Sequence, residues 1–134
     1  MEEYILDTNI LIYLFEGRES IASTLLSLHR EYFFTSVISH FEFLVGARSE
    51  AEEKEIRSKL KETAPLDIRL EIVEAAVKLQ KQYKLKFKDL LIAATAQVEG
   101  LTLVTADKDF KKIKGLKVNL IRAGFLCYST SSSM

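Results

Sequence analysis

The sequence predicts an α/β domain built on a mainly parallel sheet. Short apolar or aromatic segments at residues 4–6, 32–35, 101–105 and 117–121 read as strands, and longer segments with helical periodicity separate them. Strands alternating with helices form parallel sheets with right-handed crossovers. The chain has 134 residues, 48% hydrophobic and 28% charged, an ordinary globular composition. A domain of that size buries about two-thirds of the surface its unfolded chain exposes.

Tyr4-Ile5-Leu6 is a short buried strand. The apolar run resumes after Asp7-Thr8-Asn9 and continues to Phe15, which predicts a buried helix ended by Gly17. Ser20 is placed to cap a helix over residues 20–30, with Ile21, Leu25 and Leu28 at helical spacing. After the strand at 32–35, Ser36 caps a helix over 37–47. Its Val37, Ile38, Phe41, Leu44 and Val45 share one face, which is expected to be buried. Glu42 lies at the edge of that face and Phe43 points outward.

Ser49-Glu50-Ala51-Glu52 is a capping box opening a solvated helix to Glu62, and Ala64-Pro65-Leu66 adds a brief strand. Asp67 is expected to cap a long helix with an apolar stripe of Ile68, Ile72, Ala75, Ala76, Leu79 and Tyr83. A basic connector, Lys84-Leu85-Lys86-Phe87-Lys88, delivers the chain to Asp89. Residues 90–98 form a helix apolar nearly all round, with Gly100 as its C-cap. Residues 1–122 are assigned to one domain. The serine-rich end, 123–134, reads as a disordered or vector-derived tail.

Nineteen basic and nineteen acidic residues cancel, so any nucleic-acid surface must be a local patch. One cysteine, Cys127, excludes an intrachain disulfide and a cysteine metal cluster, and suits a reducing cytoplasm. No segment has the ~18 apolar residues of a membrane span, so no membrane partner is expected. Met1-Glu2-Glu3 lacks the positive flank of a signal peptide.

Four carboxylates stand out. Asp7 and Asp107 each follow a predicted parallel strand, placing both at the carboxyl edge of the sheet, where α/β proteins bind ligands. Asp89 opens the helix leading into the second of those strands. That helix is expected to start near the opposite edge, so connectivity alone does not bring Asp89 to the other two. Each residue also has a local explanation: Asp7 and Asp89 as helix caps, Glu42 as a solvated edge residue, Asp107 and Asp109 as turn residues. If the four converge, their repulsion calls for a hard divalent cation. Oxygen ligands without His or Cys select Mg²⁺ or Mn²⁺, and His29 and His40 are too far apart in sequence to suggest a ligand pair. Such an ion activates water and neutralises phosphoryl oxygens, which points to a phosphodiester substrate.

Asp7-Thr8-Asn9 after a strand, the isolated Glu42, Asp89-Leu90-Leu91-Ile92-Ala93-Ala94-Thr95-Ala96 and Leu103-Val104-Thr105-Ala106-Asp107-Lys108-Asp109-Phe110 together resemble the PIN-domain ribonucleases, and most closely the VapC-type toxins of toxin–antitoxin pairs. The resemblance spans residues 4 to 121. It implies a three-layer PIN-like fold, with a five-stranded parallel sheet in the order 3-2-1-4-5 and helices on both faces, and it implies that Asp89 reaches the crevice. It implies Asp7, Glu42, Asp89 and Asp107 as the acidic catalytic and metal-site residues, Asp109 as an auxiliary carboxylate, Thr105 as a supporting hydroxyl and Asn9 as a further supporting group. It also implies an endoribonuclease using Mg²⁺ or Mn²⁺ and metal-activated water on RNA, a small cognate antitoxin as partner, and a homodimer in which Phe43 is a candidate contact. One departure is Lys88, where many relatives carry proline. Lys84, Lys86 and Lys88, with Lys108, Lys111, Lys112, Lys114, Lys117 and Arg48, are candidate holders of RNA phosphates. Two other readings compete: a non-catalytic binding module on the same fold, and an aspartyl-phosphate phosphatase using Asp7, which would want a carboxylate where Asn9 stands.

Overall fold

The computed structural model describes residues 2–122; the serine-rich tail predicted for 123–134 lies outside them. Five parallel strands form one sheet in the order β3-β2-β1-β4-β5: β1 (Tyr4–Leu6), β2 (Phe34–Ser36), β3 (Ala64–Leu66), β4 (Thr102–Thr105) and β5 (Val118–Leu120). The helices are α1 (Thr8–Phe15), α2 (Glu19–Leu26), α3 (Val37–Val45), α4 (Glu50–Leu60), α5 (Leu70–Gln82) and α6 (Phe87–Glu99), and a 3₁₀ turn spans Lys108–Lys112. The topology is the one the resemblance implied.

Side chains that alternate along a strand point to opposite faces, and here each face has its own core. Ile5 and Leu103 pair in register and pack with α5 and α6, through Ile72, Leu79, Ile92 and Ala93. Tyr4, Leu6 and Val104 face the other way and pack with Ile10, Ile21, Phe43, Ile56 and Leu60 from α1 to α4. Full burial of one such aliphatic side chain stabilises by about 1.5–3 kcal/mol, so both layers hold the sheet. Pro65, which cannot donate to a ladder, is tolerated because β3 is an edge strand. Gly100 ends α6 in the left-handed region, with φ of 70°, and its N–H closes the last turn on Ala96 and Gln97.

Four local expectations are corrected. Ser20 does not cap α2, which begins at Glu19 after Arg18 and has no side-chain cap. Asp67 does not cap α5, which starts at Leu70 after Arg69. Arg69 instead pairs with Glu71 and Glu99, tying the start of α5 to the end of α6. In the capping box before α4, Ser49 Oγ accepts from Glu52 N, but the Glu52 carboxylate reaches back to Arg48 N, one residue earlier than expected.

The fourth correction matters most for function, because α3 is rotated: Ile38 and Leu44 of the expected face stay partly buried against the cores, but Phe41 and Val45 do not. Its buried residues are Ser39 and Phe43, whereas Phe41 and Val45 are 68% and 67% exposed. Phe43 therefore points inward and makes an edge-to-face contact with Phe15 at 5.3 Å, so it is not a surface contact. Counting apolar residues favours the other face; the seat of Ser39 against α1 decides the matter.

Candidate active site

The site is built where β1 and β4 end side by side. Asp7 follows Leu6, and its backbone N–H donates to Val104 O at 2.9 Å. It is the N-cap of α1, with Oδ1 accepting from Thr8 N at 2.8 Å. The local explanation is thus correct, and it occupies one carboxylate oxygen. Oδ2 accepts from the buried Thr105 Oγ1 at 2.7 Å. Thr105 spends its only hydroxyl proton on Asp7 and uses a lone pair to accept from Asp107 N at 3.0 Å. One hydroxyl therefore links the Asp7 carboxylate, just after β1, to the backbone of Asp107, just after β4. Asp7 is 5% exposed. Burial raises its pKa, the bonds from Thr105 and Thr8 oppose that rise, and the Asp107 charge adds to it.

Asp107 caps the 3₁₀ turn, with Oδ1 accepting from Asp109 N at 2.9 Å. Asp109 itself is exposed. Asp89 is the third residue of α6, whose N-cap position is Lys86 and not, as expected, Asp89, and it joins the same edge. Connectivity explains this after all. Only Gly100 and Leu101 separate the end of α6 from the start of β4. The helix therefore runs antiparallel to the strand, and its first turn stands over the strand's carboxyl end. The expectation that it would start near the opposite edge is overturned. Asp89 and Asp107 line one cleft of about 630 Å³ with Asp109, Lys84, Lys86, Tyr83, Leu85 and Gln80. Burial, then the Asp7 charge, pushes the Asp89 carboxyl up to about 6, with Lys88 acting in the opposite direction. Among the described residues its carboxyl accepts no hydrogen bond.

Glu42 stands to one side, on α3. Its Oε1 accepts from Thr8 Oγ1 at 2.8 Å, and Oε2 pairs with Lys88 Nζ at 2.6 Å. Thr8 Oγ1 is also 2.7 Å from the buried Ser39 Oγ. In the sequence reading Thr8 is only part of the Asp7-Thr8-Asn9 corner, with no site role, and Ser39 is not singled out. The available signal was a small polar residue three positions before Glu42, at helical spacing, on the face dismissed for its lack of apolar residues. Asn9 is exposed in the first turn of α1. Of the cations, Lys84 and Lys86 line the cleft, Lys88 turns inward to Glu42, and Arg48 pairs with Glu52 on the surface. Neither His29 nor His40 lines the cleft; His40 Nε2 bonds Thr35 Oγ1 at 2.8 Å.

The donor set suits a hard divalent cation: carboxylates and hydroxyls, with three like charges influencing one another and one of them raised by that proximity. Among the described residues no three of His, Cys, Asp and Glu are close enough to hold a common ion. A common ion at Asp7, Asp89 and Asp107 thus requires side-chain movement, and Asp89 is the one of the three whose carboxyl accepts no hydrogen bond among the described residues. A second groove, of about 660 Å³, lies away from these carboxylates between α1, α2 and the end of α4, walled by Leu11, Leu14, Leu25, Leu26, Phe33 and Leu60.

The family model described as PIN domain matches residues 4–116. Among curated proteins no match was found. Three solved structures resemble the chain. A toxin–antitoxin complex from Klebsiella pneumoniae aligns at 36% identity and a TM-score of 0.78, covering 89% of this chain and all of that one. VapBC2 from Rickettsia felis, bound to a DNA fragment from its promoter, aligns at 26% identity and 0.77, over 87% and 97% of the two chains. VapBC-1 from nontypeable Haemophilus influenzae aligns at 28% identity and 0.75, over 87% and 96%. With the strand order, the paired strand ends and these matches in agreement, the chain belongs to the PIN-domain family, among its VapC-type toxins.

Proposed function

We propose that this chain is a Mg²⁺- or Mn²⁺-dependent endoribonuclease, the toxin of a type II toxin–antitoxin pair. The observation that carries this reading is the gathering of Asp7, Asp89 and Asp107 at the carboxyl edge of the sheet, beside a cleft bordered by Lys84 and Lys86. Asp7, Asp89 and Asp107 would hold the ion, with Asp109 as an auxiliary carboxylate. The bound cation would acidify water and neutralise phosphoryl oxygens. Thr105 keeps Asp7 and Asp107 in fixed relation, so little reorganisation is left for the reaction itself. Lys84 and Lys86 attract the phosphate backbone to an otherwise acidic edge. Glu42, bonded to Thr8 and Lys88, orders the far side of the crevice. Asn9, exposed in the first turn of α1, would act on substrate rather than on Asp7, whose oxygens are occupied.

The partners follow from the same reading. The relatives above were solved as toxin–antitoxin complexes, and a small antitoxin is assigned to this chain. The apolar groove between α1, α2 and α4 suits an amphipathic segment of it, and an antitoxin arginine would neutralise the crevice carboxylates. For the homodimer, exposed Phe41 and Val45 on α3 replace Phe43 as the contact. No helix among the described residues is long and apolar enough to cross a membrane, and a cytoplasmic site of action is proposed.

End-group analysis of cleaved RNA tests the mechanism. No histidine lines the cleft to drive a ribose 2′-hydroxyl, so products should carry 5′-phosphate and 3′-hydroxyl ends. Cleavage should stop in EDTA and fall by orders of magnitude in Asp7→Asn. Cyclic phosphate ends, or cleavage that survives EDTA, would refute it.

A further inference from the structure

We propose that Lys88 is a built-in cation that occupies the place of a second metal ion, so that this chain binds a single divalent cation and Glu42 is not one of its ligands. This inference rests on the metal-dependent reading above. The four acidic residues divide into two groups. Asp7, Asp89 and Asp107 act on one another electrostatically. Glu42 instead faces Lys88 Nζ, 2.6 Å from its Oε2.

Both Glu42 oxygens are committed to the protein, Oε1 to Thr8 Oγ1 and Oε2 to Lys88. The hydroxyl on the Thr8 side is itself held by Ser39, in the buried contact between α1 and α3. Lys88 is half-buried, in the first turn of α6 directly before Asp89, and is attracted by Asp89 and Asp7 as well as by Glu42. An ammonium in that position neutralises Glu42 directly and is attracted by Asp89 and Asp7 as well. A second divalent ion on Glu42 would have to displace this ammonium and would then sit beside it, with like charges a few ångströms apart. Lys88 acts on the first group only at a distance; among the described residues none of that group's three carboxylates forms an ion pair, and a divalent ion there meets all three.

The experiment counts Mn²⁺ ions bound to the full chain by isothermal titration calorimetry and by electron paramagnetic resonance of free Mn²⁺, with no RNA present. Wild type should bind one ion, and Glu42→Gln should still bind one. Lys88→Met keeps the stem and removes the charge; it should bind two, and the double variant Lys88→Met/Glu42→Gln should return to one. Lys88→Arg should stay at one. Thermal melts without metal establish that each variant is folded, and Lys88→Gln serves in place of Lys88→Met should the latter fail to fold. Two ions on wild type would overturn the role of Lys88 while leaving metal dependence intact. One ion on folded Lys88→Met would overturn it as well. No ion on wild type would overturn the metal-dependent reading and this inference with it.

Discussion

Asp89→Asn is expected to stabilise the metal-free protein at neutral pH while disabling its site. The Asp89 carboxyl is raised from 3.8 to about 6 by burial and by Asp7. The native state therefore holds a proton that the unfolded chain has lost between about pH 4 and pH 6, and stability falls as pH rises through that window. Two pKa units correspond to a ceiling of about 3 kcal/mol. Asp89 is only half-buried, and solvent screening reduces this to ~1.5 kcal/mol. The charge also lies in the first turn of α6, where the helix dipole favours it by ~0.5 kcal/mol. The net gain for Asp89→Asn is then ~1 kcal/mol above pH 6, or ~4 °C in Tm for a domain of this size. Thermal melts of both proteins in EDTA should show curves that nearly coincide at pH 4 and separate by pH 7, with the variant higher. Mg²⁺ should then raise wild type and narrow the gap, because a ligand of the native state stabilises it. A variant less stable than wild type at pH 7 in EDTA, or a gap independent of pH, would refute this reasoning.

Other outcomes follow from single contacts. Thr105→Val removes the donor to Asp7 and the acceptor for Asp107 N; it should cost ~1–3 kcal/mol in melts and weaken Mn²⁺ binding, while Thr105→Ser retains most of both. Phe43→Ala should cost ~3–4 kcal/mol as a cavity against Phe15. Phe41→Ala should change stability by less than ~0.5 kcal/mol and shift light scattering from dimer towards monomer; an unchanged mass would remove α3 from the interface. Removing metal from wild type with EDTA should lower Tm at pH 7, and Asp7→Asn should abolish that response.

The strands themselves were legible because their signals are local and repeated. Tyr4-Ile5-Leu6 alternates between two cores, and residues 101–105 do so again in register beside it. The 3-2-1-4-5 order came from the resemblance, since no single strand's composition specifies its neighbours. The orientation of α3 was not legible. Its apolar majority lies on the Phe41 and Val45 side, yet the buried face is set by Ser39 and Phe43. The difference arises because Ser39 meets Thr8, a residue 31 positions away. A hydroxyl pair across two helices leaves no periodicity to find. It also costs little to bury, because Ser39 donates to Thr8 and Thr8 in turn donates to Glu42.

Asp89 shows the opposite case, where the information was present and the inference from it ran the wrong way. A helix joined by two residues to the start of a parallel strand must descend towards that start, so its own beginning lies at the ligand edge. The short link at Gly100 and Leu101 was readable from sequence, and with it the position of Asp89 beside Asp7 and Asp107. Lys88 lay in plain view for the same reason: a charge one residue before Asp89 is carried to the same edge. At that point on the helix it turns towards Glu42 rather than outward with Lys84 and Lys86. The residue at that position thus bears on the electrostatics of the site as well as on the entry to α6, because Lys88 pairs with Glu42 and is attracted by Asp89 and Asp7.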